Sequence, residues 1–114
     1  MQFDSENAMN PDLEPLREAI RASRIEWRKH TLTRMMERAI SRDAVKQAIL
    51  QGEVIAVYPE DRPFPSMLIH HALFGEALHV VVACEPADLP VVHVITVYRP
   101  DLNHFLDDLK TRRK

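Results

Sequence analysis

Apolar residues recur every three to four positions in the first half of the chain and at every second position in much of the second half. The first spacing is that of an amphipathic helix, and the second is that of a strand with one buried face. The sequence therefore predicts helices in the first half and mainly strands in the second.

Three helices are predicted in the first half. The first covers residues 11–23, with Asn10 as its N-cap and proline in its first turn. The second begins near His30 or Thr31, and Ser41 is a suitable N-cap for the third. The positions expected to be buried are Leu13, Leu16 and Ile20 in the first helix, Leu32, Met35, Met36 and Ala39 in the second, and Val45, Ala48 and Ile49 in the third.

Gly52 is expected to end the third helix, and β-branched residues follow it at alternating positions. Residues 59–65 contain three prolines and are predicted to form a loop, because proline cannot donate to a sheet ladder. The predicted strands are Glu53–Tyr58, Ser66–Phe74, Ala77–Cys84 and Val91–Tyr98. A C-terminal helix is predicted to open at Pro100 and Asp101, with an apolar side made of Leu102, Phe105, Leu106 and Leu109. This order predicts an α+β fold: N-terminal helices followed by a four-stranded mainly antiparallel sheet and a C-terminal helix.

The hairpin between the second and third strands has a predicted register. If Gly75-Glu76 is a two-residue turn, Phe74 lies opposite Ala77. His70 and His79 then share one face as diagonal neighbours, roughly 7–8 Å apart. The opposite face is more apolar and is expected to pack against the helices; it carries Met67, Ile69, His71, Leu73, Leu78, Val80, Val82 and Cys84.

The chain is predicted to form one α+β domain over residues 11–109, between a disordered N-terminus (1–10) and a basic tail (110–114). The N-terminus is acidic and polar, unlike a signal peptide, and no apolar run has membrane-spanning length. Cys84 is the only cysteine, so an intramolecular disulfide and a multi-cysteine zinc site are excluded. A cytoplasmic protein without a membrane association is the expectation.

Charge is unevenly distributed along the chain, although the formal net charge is only −2. From residue 17 to residue 46 there are nine Lys or Arg and four Asp or Glu, a balance of +5. From residue 47 to residue 98 there are six acids against Arg62, a balance of −5. Such segregation is compatible with a basic surface for RNA, and equally with a solvated helix face.

The basic stretch offers a candidate site for phosphate chemistry. His30, Arg34 and Arg38 are spaced four apart and share one face of the predicted second helix. Metal-independent RNA cleavage requires a base, a cation for the developing negative charge and an acid for the leaving oxygen. The candidate catalytic residues are His30, Arg34, Arg38, His79 and Tyr98, and the candidate RNA-binding residues are Arg28, Lys29, Arg42 and Arg99. No glycine-rich phosphate loop, HExxH motif or serine elbow is present, and no cofactor is predicted.

A metal site has weaker support. His70 and His71 are adjacent on a strand, so their side chains point to opposite faces and cannot easily bind one ion. His70 and His79 could supply two ligands, with Glu85 or His93 as a third. For His71 the preferred expectation is a buried, hydrogen-bonded core histidine. No metal is therefore predicted.

Several short segments occur in a characteristic order: Trp27-Arg28-Lys29-His30 with Arg34 and Arg38, Ile40-Ser41, Gly52-Glu53-Val54-Ile55 with Tyr58, Leu78-His79-Val80-Val81-Val82, and Ile95-Thr96-Val97-Tyr98-Arg99-Pro100. Over about residues 25–101 the chain resembles the bacterial family called domain of unknown function 4258. The resemblance implies a RelE-like or barnase-like fold, a toxin-like ribonuclease or a derivative of one, and an antitoxin-like protein partner. The polar positions that match the family pattern are His30, Arg34, Arg38, His79, Thr96 and Tyr98. Such toxins are usually basic, whereas this chain is slightly acidic.

The sequence leaves three functions open. The favoured one is a metal-independent endoribonuclease of a toxin–antitoxin type pair, with RNA as its substrate. The alternative is a non-catalytic protein-binding module of the same fold, which uses a sheet edge or the basic helix; the apolar strand Val91–Tyr98 and the hydrophobic residues around Phe64 motivate it. A homodimer is among the expected assemblies. The third function is a small metal-binding regulator that uses His70 and His79.

Overall fold

The computed structural model describes residues 13–112, and these form three helices and five strands. In chain order they are α1 (Glu14–Arg21), β1 (Ile25–Trp27), α2 (Lys29–Glu37), α3 (Arg42–Gln51), β2 (Glu53–Tyr58), β3 (Ser66–Leu73), β4 (Glu76–Glu85) and β5 (Val91–Tyr98). None of the helices in this part of the chain is long and apolar enough to cross a membrane. The predicted disordered N-terminus and the predicted cap at Asn10 and Pro11 lie outside the described residues.

Within residues 13–112 the sheet has five strands in the order β1-β5-β4-β3-β2, so the predicted count of four is wrong. The α+β class is confirmed. The antiparallel pairing of consecutive strands is also confirmed, for β2 with β3, β3 with β4, and β4 with β5. The additional strand is β1, which runs parallel to β5 with Ile25 opposite Val92 and Trp27 opposite Val94. A strand of three residues is too short to show the two-residue alternation of apolar and polar positions. The chain turns at Ser23, where φ is 62°, before it enters this strand.

The three helices cover one face of the sheet, and this is the face that the alternation of β3 and β4 predicts. Burial of apolar surface is the main force that holds these layers together. The helices contribute Leu16, Ala19, Ile20, Met35, Val45, Ala48 and Ile49 to the buried core, and the sheet contributes Ile69, Val80, Val82, Val92, Val94 and Val97. We call the opposite face, which carries His70 and His79, the second face.

Helix α3 begins as predicted, because the Ser41 hydroxyl accepts a hydrogen bond from the backbone N–H of Ala44 at 3.0 Å. Gly52 follows the helix as predicted, but its φ of −82° needs no glycine. The need is steric. A Cβ at Gly52 would lie 2.5 Å from the carbonyl oxygen of Ala48 and 2.6 Å from that of His70. Glycine therefore permits the close approach of α3 to β3.

Helix α2 is shorter than the predicted apolar stripe suggests. Met36 is 79% exposed, and Ala39 lies beyond the helix with a φ of 55°, so both predictions of burial within the helix are wrong. Ala39 allows the Ile40 N–H to donate to the Met35 carbonyl at 2.9 Å, which ends the helix in a Schellman-type motif. Ile40 is thereby turned into the core and takes the place expected for Ala39.

The β3–β4 hairpin turns one residue earlier than predicted. Leu73 pairs with Glu76, and the two turn residues are Phe74 and Gly75, with φ values of 54° and 80°. Positive φ at both positions is the requirement of a type I′ turn. His70 therefore lies directly opposite His79 instead of diagonal to it. The assignment of side chains to the two faces is unaffected, because the alternation within each strand is the same.

The predicted C-terminal helix is absent from the described residues, and residues 101–112 form successive turns. The Asp101 carboxylate accepts from the N–H groups of Asn103 and His104, and Asp108 accepts from those of Lys110 and Thr111. The two aspartate side chains accept hydrogen bonds from backbone N–H groups that, in a helix, would donate to backbone carbonyls of the preceding turn. The turns bring Phe105 onto the second face, where its ring meets the His79 ring edge-on at 4.7 Å.

Candidate functional site

Helix α2 is fixed beside β5 by two side chains that bond to the strand backbone. Strand β1 covers β5 only from Val92 to Val94. Beyond that point, the Thr31 hydroxyl donates to the Ile95 carbonyl at 2.7 Å and Arg38 Nη1 donates to the Val97 carbonyl at 2.9 Å. These bonds satisfy carbonyl groups that a strand edge would otherwise leave open.

A groove of about 390 Å³ runs between α2 and β5, and we call it the α2–β5 groove. A β-bulge in β5 helps to shape it, because the pairing moves from Val82–Val94 to Val81–Thr96 and leaves Ile95 without a register partner. The groove is lined by Arg28, His30, Thr31, Arg34, Arg38, Ile95, Thr96, Val97 and Tyr98. Four of the five predicted catalytic residues, all except His79, therefore line one concavity.

The groove contains cations that nothing in the described chain neutralises. Within residues 13–112, the side chains of Arg28, His30 and Arg34 make no hydrogen bond or ion pair, and no carboxylate lines the groove. Other arginines of the described chain have partners: Arg17 donates to the Ile49 and Gly52 carbonyls, and Arg21 pairs with Glu14. An uncompensated positive groove attracts anions such as phosphodiesters.

Three of the four remaining predicted residues, those other than His79, contact the protein itself or lie outside the groove. Arg99 donates to the Arg38 and Ala39 carbonyls at 2.7 and 3.4 Å, so it caps the end of α2. The Arg42 guanidinium lies 5.8 Å from the Trp27 ring centroid in a cation–π contact. Lys29 is exposed on the first turn of α2 without lining the groove.

His79 lies behind the groove and holds the Tyr98 hydroxyl. It is fully buried, and its Nε2 is 2.8 Å from the Leu109 carbonyl oxygen, which can only accept. The hydrogen-bond network therefore assigns the proton to Nε2, so Nδ1 accepts from the Tyr98 hydroxyl at 3.2 Å. His70 Nδ1, 3.1 Å from the same Nε2, is a second acceptor. His79 is thus a positioning residue and does not line the α2–β5 groove.

Burial sets the protonation of both members of this pair. Desolvation lowers the pKa of His79 to about 4, with the positive charge of Arg112 acting in the same direction. Burial also raises the pKa of Tyr98, although the nearby Arg112 guanidinium opposes this shift. Near neutral pH the imidazole is therefore uncharged, and the phenol keeps the proton that it shares with His79 Nδ1.

The histidine positions considered for a metal are engaged elsewhere. His93 Nε2 and Glu85 Oε1 are 2.9 Å apart and pair with each other. Over the described residues no three His, Cys, Asp or Glu side chains come together in a way that could hold an ion. His71 is half-buried, and its buried Nε2 has no partner among the described residues, so the prediction of a hydrogen-bonded core histidine is wrong.

Three contacts around the site were outside the sequence prediction. Thr31 and Arg112 have no distinguishing pattern, since the first is one polar residue on a helix and the second is part of a basic tail. Phe105 was predicted to be an apolar helix residue, but it covers His79 because two aspartate turns redirect the chain. Aspartates spaced at Asp101 and Asp108 were the available signal for those turns.

Comparison with curated proteins and with solved structures gives no match. The family model described as Domain of unknown function (DUF4258) matches residues 27–99. This segment includes α2 to β5 and every residue that lines the α2–β5 groove, and it leaves out α1 and the C-terminal turns. The matched segment covers more than half of the chain, and the chain therefore belongs to the DUF4258 family.

Proposed function

We propose that this protein is a toxin-like endoribonuclease that cleaves RNA in the α2–β5 groove without a metal ion. One observation carries the proposal: Arg28, His30 and Arg34 lie unpaired in a groove that carries no carboxylate and that Tyr98 also lines. A solvated helix face would not need a concavity shared with a half-buried tyrosine. Phosphodiester backbones supply the negative charge that this groove lacks.

The chemistry requires no group beyond these side chains. The His30 imidazole takes the proton of the ribose 2′-hydroxyl, and the 2′-oxygen then bonds to phosphorus. The bond from phosphorus to the 5′-oxygen breaks, and the Tyr98 hydroxyl turns from His79 Nδ1 to that leaving oxygen and gives it a proton. The products are a 2′,3′-cyclic phosphate and a 5′-hydroxyl. Arg34 stabilises the negative charge of the phosphorane, and Arg112 stabilises the phenolate left on Tyr98.

The wider assignments belong to the same proposal. Helices packed on one face of a mainly antiparallel sheet are compatible with a RelE-like or barnase-like fold. On that basis we propose a cytoplasmic toxin with an antitoxin-like protein partner. Such a partner would cover the cationic groove with acidic side chains, because only a complementary charge neutralises Arg28 and Arg34.

The test is cleavage of an end-labelled RNA by purified protein in the presence of EDTA. We expect products with a 2′,3′-cyclic phosphate, and a loss of rate of about 10²-fold or more for His30→Ala and for Arg34→Ala. Arg21→Ala is the matched control, because Arg21 forms an exposed ion pair with Glu14 and does not line the groove. No cleavage by the wild type, or equal rates for all variants, would contradict the proposal.

A second candidate is a non-catalytic protein-binding module, and a different surface favours it. Phe74 is 95% exposed at the tip of the β3–β4 hairpin, and Leu73 beside it is 50% exposed. A groove of about 490 Å³ next to them is lined in part by Ile40, Leu78 and His71. Strand β5 is not available as a free edge, since it lies between β4 and β1. Sedimentation of wild type and Phe74→Ser at several concentrations tests this surface, and a strictly monomeric wild type without a co-purifying partner argues against it.

A further inference from the structure

A second groove of about 290 Å³ continues from the α2–β5 groove. The two grooves share the side chains of Arg28 and Ile95. Arg28 therefore stands at their junction, unpaired, where a phosphate that enters the first groove would leave it for the second. A single strand bound in the α2–β5 groove thus has a natural continuation beside Arg28.

The second groove contains an aromatic platform that the protein holds in place. The Phe64 and His93 rings are stacked with centroids 5.8 Å apart and planes inclined by 26°. His93 is fixed by its contact with Glu85 at 2.9 Å. Phe64 is half-buried, so one part of the ring packs against the protein while another part faces the groove. A flat, fixed aromatic surface next to a cation is suited to stacking of a nucleobase.

Asp61 supplies a hydrogen-bond acceptor at the same groove. Its Oδ2 accepts from the Ser66 hydroxyl, whereas Oδ1 has no hydrogen-bond partner among residues 13–112. A carboxylate oxygen accepts from the N–H groups of a base and repels its carbonyl oxygens. Guanine presents two adjacent donors, N1–H and N2–H, whereas uracil presents one N–H between two carbonyls. The acceptor therefore favours guanine over uracil.

We propose that this second groove is a nucleobase subsite for single-stranded RNA that prefers guanine. Phe64 stacks on the base, Asp61 accepts from its N–H groups, and Arg28 binds the phosphate that links this nucleotide to the one in the α2–β5 groove. The inference rests on the proposed function, because it assumes that the α2–β5 groove binds an RNA backbone. It adds a substrate class, single-stranded RNA with a guanine next to the cleaved linkage.

Binding of fluorescein-labelled pentamers, followed by anisotropy at fixed salt, tests the subsite. The probes are UUGUU and UUUUU with 2′-O-methyl riboses, which prevent cleavage. Wild type is expected to bind UUGUU about 10-fold more tightly than UUUUU. Phe64→Ala should weaken binding of UUGUU about 10-fold, whereas Phe64→Trp should retain it because stacking is preserved.

Asp61→Asn separates the base contact from folding of the loop. It should remove the preference for UUGUU, and it should raise the affinity for UUUUU slightly because the carboxylate no longer repels the uracil carbonyls. Arg34→Ala should weaken binding of both probes equally, because it contacts phosphate. Equal binding of both probes by wild type overturns the subsite alone, provided that Arg34→Ala still weakens both. A wild type that binds neither probe overturns the proposed function and the subsite together.

Discussion

Protonation of His79 should make the protein sensitive to mild acid. The imidazole is fully buried between β4 and the C-terminal turns, and Phe105 and Leu109 both contact it. Its neighbours include His70 and Arg112, both of which disfavour a further positive charge. Lowering the pH therefore forces a proton onto a group that the folded state can hold only when neutral.

The size of the effect follows from the difference in pKa between the two states. The pKa is about 4 in the folded protein and 6.5 in the unfolded chain. Between these values the unfolded chain binds more protons, so the free energy of unfolding falls as the pH falls. The contribution is fully present above pH 6.5, and about 2 kcal/mol of it is lost at pH 5. Once the pH is below both values the loss reaches about 3 kcal/mol. The pKa of His70 is also lowered, chiefly by burial, which adds an effect of the same sign.

Urea unfolding of wild type and His79→Gln at pH 7.5 and pH 5.0 measures this contribution. Glutamine can donate to the Leu109 carbonyl and accept from Tyr98, but it does not titrate. The variant loses packing at both pH values, so only the difference between the two pH values is diagnostic. Wild type should lose about 2 kcal/mol more than the variant between pH 7.5 and pH 5.0. An equal loss in both proteins would refute a buried neutral His79.

Three further results are expected. Gly52→Ala should lower the free energy of unfolding by about 1–3 kcal/mol, because the new Cβ would meet the Ala48 and His70 carbonyls at 2.5 and 2.6 Å; thermal unfolding measures the loss, and an unchanged midpoint contradicts it. Ser41→Ala should cost about 1 kcal/mol through loss of the cap, with Ser41→Asp retaining most of the stability in the same assay. For RNA binding, Arg34→Ala should reduce the slope of log affinity against log salt by about 0.7, since it removes one phosphate contact; a slope equal to that of wild type would mean that Arg34 touches no phosphate.

Much of the fold follows from local sequence patterns. Helix α3 begins at the predicted cap, Ser41, and strands β2 and β5 have the predicted bounds of Glu53–Tyr58 and Val91–Tyr98. The buried face of the β3–β4 hairpin is also predicted correctly, because alternation within a strand is independent of the turn. These features depend on neighbours within a few residues, which is the range over which propensity and period carry information.

The errors arise where distant contacts decide the local structure. Phe74 adopts a positive φ, which its exposure at the hairpin tip tolerates, and the turn moves by one residue. Turns at Asp101 and Asp108 form in place of the helix that the apolar spacing favours. The turned chain places Phe105 against His79, and this contact stabilises the turns over the helix. Strand β1 pairs with the edge of β5 that β4 leaves unoccupied, and this contact joins residues about 67 positions apart in the chain.

The sequence was sufficient to predict most of the residues at the candidate site, but not the separate role of each residue. The spacing of His30, Arg34 and Arg38 brings them to one groove together with Tyr98, as the row of residues on one helix face suggested. His79 could be assigned to the neighbourhood of Tyr98 by strand pairing alone. Its complete burial could not be predicted, since the covering residues come from the C-terminal turns.

His30, Arg34 and Arg38 lie in one row along α2, but they have two different physical roles. Arg38 lies at the C-cap of the helix and donates to the Val97 carbonyl, so it helps to hold α2 against β5. His30 and Arg34 have no partner in the described chain. A substitution of Arg38 would weaken docking of the helix and the groove charge together, and its effect on RNA cleavage could not be assigned to either. Arg34 carries the same charge in the same groove without the backbone bond, so Arg34→Ala is the substitution that separates RNA binding from the fold.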